Sequence, residues 1–452
     1  MSALSDTIVA LSSAAGRAGV AVVRLSGPDA LAIGRDLVGV LPPVRSARLR
    51  RARDAAGNVI DVGLVLPFAA PHSYTGEDVA EFQGHGGQAL AELVIARCVE
   101  LGARRAEPGE FTQRAFLNGR LDLAQAEAVA DAINAGSNAA ALAAMRSLDG
   151  AFSAAVNALT TELIELRVYI EAAIDFPDEE LDLLSDTGLT SRLAALEASF
   201  DALAERLRVG RALTDGLTVA LLGRPNAGKS SLMNRLAGHD SAIVTDIPGT
   251  TRDLLREVIE VDGLPVTVVD TAGLRTATDD PIEQAGIERA RSAAATVDHR
   301  LVVIDAAAHA GDSAPMANEV TTLLGEIGGE SAHTVVINKT DLARPSDAPP
   351  TWLSVSAKTG AGIDALTARL HAVAGYGSTQ EGTFSARQRH IDALTEARTA
   401  FDRGKAALFD AAAGELLAEE LRLAQQALGR ITGTFSSDDL LGEIFGAFCI
   451  GK

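Results

Sequence analysis

The sequence predicts a multidomain chain: an α+β N-terminal domain, then an all-α helical domain cut in two by an inserted α/β domain. Three observations predict this. Residues 1–119 carry short apolar runs separated by turn residues. From Leu121 the chain becomes alanine-rich with apolar residues at helical spacing, and the same style returns at Arg387. Between these blocks, apolar strand-like runs alternate with helical patterns, as βαβ units of a parallel sheet do. The expected boundaries are 1–119, 120–215, 216–377 and 378–452, the second and fourth segments forming one discontinuous domain. Such an insertion is tolerated where chain ends lie close together.

Each element has its own signal. Residues 20–25, 62–66 and 79–82 read as strands, and 88–101 as a helix. Residues 121–134, 138–174 and 191–209 read as helices, interrupted at Pro177 and the acidic run Asp178, Glu179, Glu180. Residues 387–428 read as one more helical stretch.

Composition bounds the function. The chain has 452 residues, 40 basic and 60 acidic, for a net charge of −20. A hydrophobic share of 47% supports several cores and excludes a disordered chain. Cys98 and Cys449 lie too far apart in sequence for a disulfide framework or a zinc cluster, which fits a reducing, cytoplasmic setting. No secretory signal is expected from the first residues, and no apolar run reaches the ~18 residues that a membrane span needs. The acidity disfavours a nucleic-acid partner only if it is evenly spread. It is not: residues 1–120 hold 13 basic against 12 acidic side chains. Arg45, Arg48, Arg50, Arg51 and Arg53 cluster there, readable as a solvated surface loop or as an anion-binding patch. The chain has 35 arginines and only five lysines, Lys229, Lys339, Lys358, Lys405 and Lys452.

The inserted segment carries a nucleotide site. The apolar run 217–222 leads into Gly223, Arg224, Pro225, Asn226, Ala227, Gly228, Lys229 and Ser230, and then a helix start at Ser231. This is the phosphate-loop pattern in its strand-to-helix setting. Its glycines let backbone N–H groups face phosphate oxygens, Lys229 supplies a cation, and Ser230 can ligate Mg²⁺. Asp270, Thr271, Ala272 and Gly273 follow a second strand; the carboxylate suits the metal's water shell and the glycine N–H a γ-phosphate. Asn338, Lys339, Thr340 and Asp341 follow a third strand, and Asp341 can accept both N–H groups of a guanine edge, which selects GTP over ATP. Ser356, Ala357 and Lys358 are placed to brace the base. The loop holding Thr245, Ile247, Thr250 and Thr251 reads as a nucleotide-dependent switch in which Thr251 completes the Mg²⁺ shell. Leu274 stands where Ras-type enzymes place a water-orienting glutamine, so Asp279, Asp280, Glu283 and Glu288 become candidates for that task.

These motifs resemble the Era-related branch of translation-factor GTPases. The flanks narrow the resemblance: Gly84 to Gly87, Pro108 to Asn118, Leu121 to Glu127 and the terminal Cys449, Ile450, Gly451, Lys452 resemble the MnmE (TrmE) family of tRNA modification GTPases from the first strand to the last residue. The resemblance implies a potassium-stimulated GTP hydrolase. With an FAD-containing partner, MnmG, such a protein adds a carboxymethylaminomethyl or aminomethyl group to C5 of the wobble uridine of certain tRNAs. An Era-like ribosome-assembly GTPase without modification chemistry is the alternative.

The resemblance also implies residue roles. Asn226, with Thr245, Ile247 and Thr250, would hold K⁺, and Glu283 would orient the attacking water. Arg24, Glu81, Arg120 and Lys452 match folate-binding positions, for 5,10-methylenetetrahydrofolate or a 5-formyl analogue. Arg120 stands where a lysine is common in the family. Cys449 is a candidate catalytic residue of the tail. The implied assembly is a homodimer through the N-terminal domain and a heterotetramer with the partner, which alone carries the FAD; tRNA is the substrate and no membrane is involved.

Overall fold

The computed structural model describes residues 6–175, 187–238, 256–270, 297–310, 312–327, 332–345, 347–376, 382–411, 413–434 and 438–451. They fall into two compact units, Met1–Ala130 with Gln425–Lys452, and Asp131–Ala424.

The first unit is built on a six-stranded sheet of order β3-β4-β5-β2-β1-β6. Its strands are β1 (Ile8–Leu11), β2 (Val20–Ser26), β3 (Arg48–Arg53), β4 (Val59–Phe68), β5 (Val79–His85) and β6 (Arg104–Arg105). β6 pairs parallel to β1, and the other pairs are antiparallel. Helices α1 (Ala30–Val38) and α2 (Gln88–Glu100) supply Ile33, Leu37, Val94, Ile95 and Cys98 to a core shared with Val9, Val23, Leu25 and Phe82. Alternation along each strand sends one set of side chains to this core. Then come α3 (Glu110–Leu117) and α4 (Leu123–Asn134). Leu123, Ala126 and Ala130 of α4 pack with Leu441, Ile444 and Phe445 of the last helix, Asp438–Gly446, and with Phe448. The arginine cluster is a correction to the loop reading: Arg48, Arg50, Arg51 and Arg53 lie on β3, an edge strand. Charged side chains there are a common guard against edge-to-edge pairing.

In the second unit, α5 (Asn138–Leu148), α6 (Ala151–Asp175) and α7 (Thr187–Asp215) precede the insertion and α11 (Gln388–Ala411) follows it, leading to α12 (Gly414–Thr432), whose residues from Gln425 on belong to the first unit. The stretch 138–174, expected as one helix, is two. Asp149 caps α5 and Gly150 takes φ 92°, a left-handed stop that glycine adopts without a Cβ clash. The stretch 387–428 is likewise divided, at the start of α12. α7 is longer than its periodic core and runs directly into the first strand of the insertion. The two sides of the insertion pack together. Phe200 of α7 and Phe401 of α11 are buried with ring centroids 5.5 Å apart. Lys405 Nζ, the lysine without a motif, lies 2.6 Å from Glu197 across the same seam. The helical domain is thus discontinuous.

The insertion is a second six-stranded sheet of order β12-β11-β10-β7-β9-β8. It comprises β7 (Leu217–Leu222), β8 (Arg256–Val261), β9 (Leu264–Asp270), β10 (His299–Asp305), β11 (His333–Asn338) and β12 (Leu353–Ser354), with α8 (Lys229–Leu236), α9 (Ser313–Ile327) and α10 (Ile363–Ala374). Leu217, Val219 and Leu221 face one core, with Leu232, Leu366 and Leu370. Ala220 and Leu222 face the other, with Met316 and Val320. All pairs are parallel except β8 with β9, a correction to the wholly parallel sheet. The cause is Asp262-Gly263, whose φ values of 47° and 86° make the two-residue hairpin turn that an Asp-Gly pair favours. Ser137 caps α5 through Ala140 N and donates to Gly263 O at 2.7 Å, joining helix and insertion. Among the described residues, no helix is long and apolar enough to cross a membrane.

The first unit also holds a buried ionic network. Arg114 is fully buried and contacts Asp6 at 2.8 Å, Glu110 at 2.9 Å and Glu77 at 3.2 Å; Arg104 reaches the same Glu110 and Asp6. The hydrogen bond from Arg104 is the main cause holding the Asp6 carboxyl below its usual range. Burial opposes ionisation of Glu110, but the two guanidiniums and the Glu107 N–H outweigh it and depress its value too. Both folded values therefore lie below the unfolded ~3.9 and ~4.3. The network contributes fully above the unfolded values and is lost as pH falls through the folded ones. Removing one partner strands buried charge, so Arg114→Met is expected to lose about 3–5 kcal/mol at pH 7. Denaturant unfolding followed by hydrogen exchange of the first unit's amides should show that loss shrinking as pH falls below about 4. A loss of equal size at pH 7 and well below pH 4 assigns Arg114 to packing alone.

Candidate functional site

The phosphate loop spans the turn from β7 to α8. Its backbone is shaped by conformations that few side chains permit. Asn226 has φ 65° and Gly228, the residue before α8, has φ 91°. A Cβ on Gly228 would collide with the Asn338 amide, and one on Gly223 would lie 2.5 Å from Val303 O. The loop is therefore a cradle closed from behind by β10 and β11. Lys229 is buried and donates from Nζ to Gly223 O at 2.8 Å and Arg224 O at 3.2 Å, holding its ammonium inside the loop. Ser230 and Ser231 are exposed in the first turn of α8, whose N-terminal N–H groups favour an anion. Arg224 Nε meets Glu319 of α9 at 3.3 Å, and His309 meets the same carboxylate at 2.7 Å, tying the outer side of the loop to that helix.

The base-recognition segment is bound to this cradle. Asn338 ends β11 with 1% exposure and uses both ends of its amide. Nδ2 donates to Ala227 O at 3.0 Å, and Oδ1 accepts from Ala357 N at 3.1 Å. Lys339 Nζ donates to Asn226 O at 2.7 Å and to Asp305 Oδ2 at 2.7 Å. Asp341 is exposed, and Ser356 Oγ donates to its Oδ1 at 2.7 Å, fixing the carboxylate's rotamer. Thr340 Oγ1 donates to Val355 O at 2.8 Å. Lys358 is exposed at the outer edge of the same loop. Arg24 and Arg120 aside, the described candidates Asn226, Ala227, Gly228, Lys229, Asn338, Lys339, Asp341, Ser356 and Ala357 are thus one connected cluster.

Asp305 belongs to this cluster and was missed in the sequence. Burial opposes its ionisation, but the Lys339 hydrogen bond, the Ala307 N–H and the Lys339 charge hold it below the usual carboxylate range. Its role depends on β10 lying between β7 and β11 in the sheet, which spacing along the chain does not disclose. Thr245, Ile247, Thr250, Thr251, Thr271, Ala272, Gly273, Glu283 and Lys452 lie outside the described residues, and Asp270 is described only as the end of β9.

A second cluster occupies the first unit. Arg24 on β2 is the register partner of Glu81 on β5, and its Nε lies 2.9 Å from Glu81 Oε1. The Arg24 guanidinium sits over Tyr74 and Phe111, 5.1 and 5.6 Å from their ring centres. Arg120 is exposed, and its side chain flanks Gly76, where a Cβ would lie 3.1 Å from Arg120 Cγ. Residues 74–76 therefore touch both Arg24 and Arg120. Cys449 is exposed, whereas burial pushes the Cys98 thiol up to about 12. The tail is tied to the domain's own strands and loops: Gly109 N donates to Cys449 O at 3.4 Å, Ile450 bridges Pro108, and Gly451 lies against the Leu11 carbonyl.

Comparison with known proteins places the whole chain in one family. The profile of the MnmE helical domain matches residues 123–449, and that of the GTP-binding protein TrmE N-terminus matches residues 7–120. A tRNA modification GTPase MnmE from Pseudomonas aeruginosa (strain UCBPP-PA14) is 51% identical over 463 residues, covering 100% of both chains. The protein of that name from Stutzerimonas stutzeri is 51% identical over 457 residues, 99% of each chain. The one from Thiobacillus denitrificans is 51% identical over 452 residues, 99% of this chain and 98% of the relative. By these likenesses along its whole length, this chain belongs to the MnmE (TrmE) family of tRNA modification GTPases.

Proposed function

We propose that this chain is a potassium-stimulated GTP hydrolase that acts with an FAD-containing partner, MnmG, to add a carboxymethylaminomethyl or aminomethyl group to C5 of the wobble uridine of certain tRNAs. The observation that carries the reading is the buried Asn338 amide, which joins the phosphate loop to the base-recognition loops in a chain alike to such enzymes from end to end.

The residues divide the work. The phosphate-loop backbone and Lys229 would receive the phosphates, Ser230 and Thr251 would hold Mg²⁺, and Asp341 would accept the guanine N–H pair with Ser356, Ala357 and Lys358 around it. Asp270, Thr271, Ala272 and Gly273 would serve the metal and the γ-phosphate. Ser230 and Ser231, exposed in the first turn of α8 beside the buried Lys229 ammonium, fit an anionic group at the loop. The Asn226 carbonyl is taken by Lys339 while its side chain is exposed, which suits the amide oxygen to a K⁺ shared with Thr245, Ile247 and Thr250. When bound, that ion supplies the positive charge that an arginine finger supplies in other GTPases. Glu283 orients the attacking water.

In the first unit, the Arg24–Glu81 pair over two aromatic rings suits a flat heterocycle with hydrogen-bonding edges, and Arg120 and Lys452 add positive charge for a carboxylated tail. Bound folate would supply the one-carbon unit. The assembly is a homodimer through the N-terminal domain and a heterotetramer with MnmG, in the cytoplasm, with Cys449 a tail residue open to chemistry.

Nucleoside mass spectrometry of tRNA from a deletion strain is expected to show loss of the C5 modification at the wobble uridine, restored by the wild-type chain. An unchanged nucleoside profile overturns the reading. KCl should accelerate GTP hydrolysis by at least about tenfold over NaCl, in proportion to the missing arginine charge. Equal rates in the two salts refute the potassium site. Glu283→Ala is expected to keep near-normal GTP affinity while turnover falls about 10²–10⁴-fold. A variant that retains its turnover removes Glu283 from the mechanism.

A further inference from the structure

Several arginines elsewhere in the chain are held by carboxylates, Arg104 and Arg114 by Glu110, Arg208 by Glu205, Arg398 by Asp201 and Asp402, while others such as Arg146, Arg206 and Arg235 donate to backbone carbonyls. The β3 cluster differs from the first group. None of Arg45, Arg48, Arg50, Arg51 and Arg53 is in an ion pair among the described residues. Arg45, Arg50 and Arg53 donate only to backbone carbonyls, of His72, of Val40 and Leu49, and of Gly57. The nearby carboxylates are committed elsewhere: Asp54 accepts from Asn58, and Asp61 from His85 and Val62. Arg45, Arg48, Arg51 and Arg53 are exposed. In a chain of net charge −20, this strip keeps a local excess of positive charge, with only Asp54 and Asp61 as the carboxylates just named beside it.

Guarding an edge strand needs one or two charges of either sign. It does not account for four arginines on one six-residue strand. A six-residue strand spans about 20 Å, the length of a few consecutive phosphates. Alternation puts Arg48 and Arg50 on one face and Arg51 and Arg53 on the other, so an edge strand offers guanidiniums from both sides of one rim. The planar fork of guanidinium matches phosphate oxygens in pairs, which lysine does not. On the second face Leu49 and Arg51 stand opposite Leu64 and Val62, all exposed, beside the arginines.

We infer that the β3 edge is a docking surface for the phosphate backbone of RNA, engaging the tRNA substrate independently of the nucleotide and folate clusters. This rests on the tRNA reading above. The contacts are electrostatic and carry no base specificity.

The side chains of Arg48 and Arg51 make no hydrogen bond among the described residues, so Arg48→Gln with Arg51→Gln tests the surface at little cost to the fold. Fluorescence anisotropy of the full chain with labelled unmodified tRNA, across KCl concentrations, is expected to show affinity at 0.1 M salt weakened on the order of tenfold or more, with the salt slope reduced by about two. The Arg48→Lys, Arg51→Lys variant should keep most of the slope. Unchanged affinity and slope in the Gln variant overturn the proposal. So does a weakening that appears only together with loss of the dimer in light scattering. A Gln variant that loses flotation on phosphatidylglycerol vesicles while its tRNA curve stands unmoved assigns the surface to membrane and also overturns it. GTP hydrolysis in KCl and modification in the deletion strain are read in parallel. If both persist while the binding curves do not move, the docking surface fails and the proposed function stands.

Discussion

The nucleotide site depends on one buried amide. Asn338 reaches forward to the phosphate loop and sideways to the base-side loop, at 3.0 and 3.1 Å. An amide buried to 1% must satisfy both ends or cost stability, so its two partners are held in fixed relation by the same interaction. Gly228 has to be glycine because this amide occupies the space a Cβ would need. Lys339 adds a second strap from Asp305 to Asn226, so loops following β7, β10, β11 and β12 are fastened to one another. Preorganisation of this kind means that little ordering remains to be done when an anion enters.

The surrounding architecture explains why the insertion leaves the helical domain intact. α7 delivers the chain to β7 through Gly216, whose φ of 68° turns it against Pro265. The chain returns to α11, which lies along α7 through Phe200, Phe401, Lys405 and Glu197. Entry and exit are therefore neighbours, as an inserted domain requires. Ser137 and the Asp262-Gly263 hairpin then clip the insertion to α5, using a helix cap that would be needed in any case.

Much of this was legible because its signals are local. A glycine-rich turn between a buried strand and a helix names itself, as does a short polar segment at the end of an apolar strand. The Asp-Gly hairpin was equally local, but it was passed over because the strands around it suggested only parallel pairing. The break at Gly150 was hidden by an alanine-rich pattern that continues through it. Asp305 was not legible because its role exists only where β10 lies between β7 and β11, a fact of sheet order and not of spacing. Arg114 likewise gives no sign in the sequence of being fully buried, since its three carboxylate partners come from three separate segments.

The charge arithmetic changes meaning once each arginine is placed. A net charge says nothing about which cations are already neutralised. Arg114 contributes one unit to the sum and none to the surface, because carboxylates enclose it. The β3 arginines stay at the surface, four on one strand, with only Asp54 and Asp61 named beside them. With a Debye length of about 8 Å at physiological salt, a polyanion at this edge would feel chiefly the charges within that distance. A chain of net charge −20 can thus present a cationic rim. What decides is the pairing of individual guanidiniums, which the sum conceals.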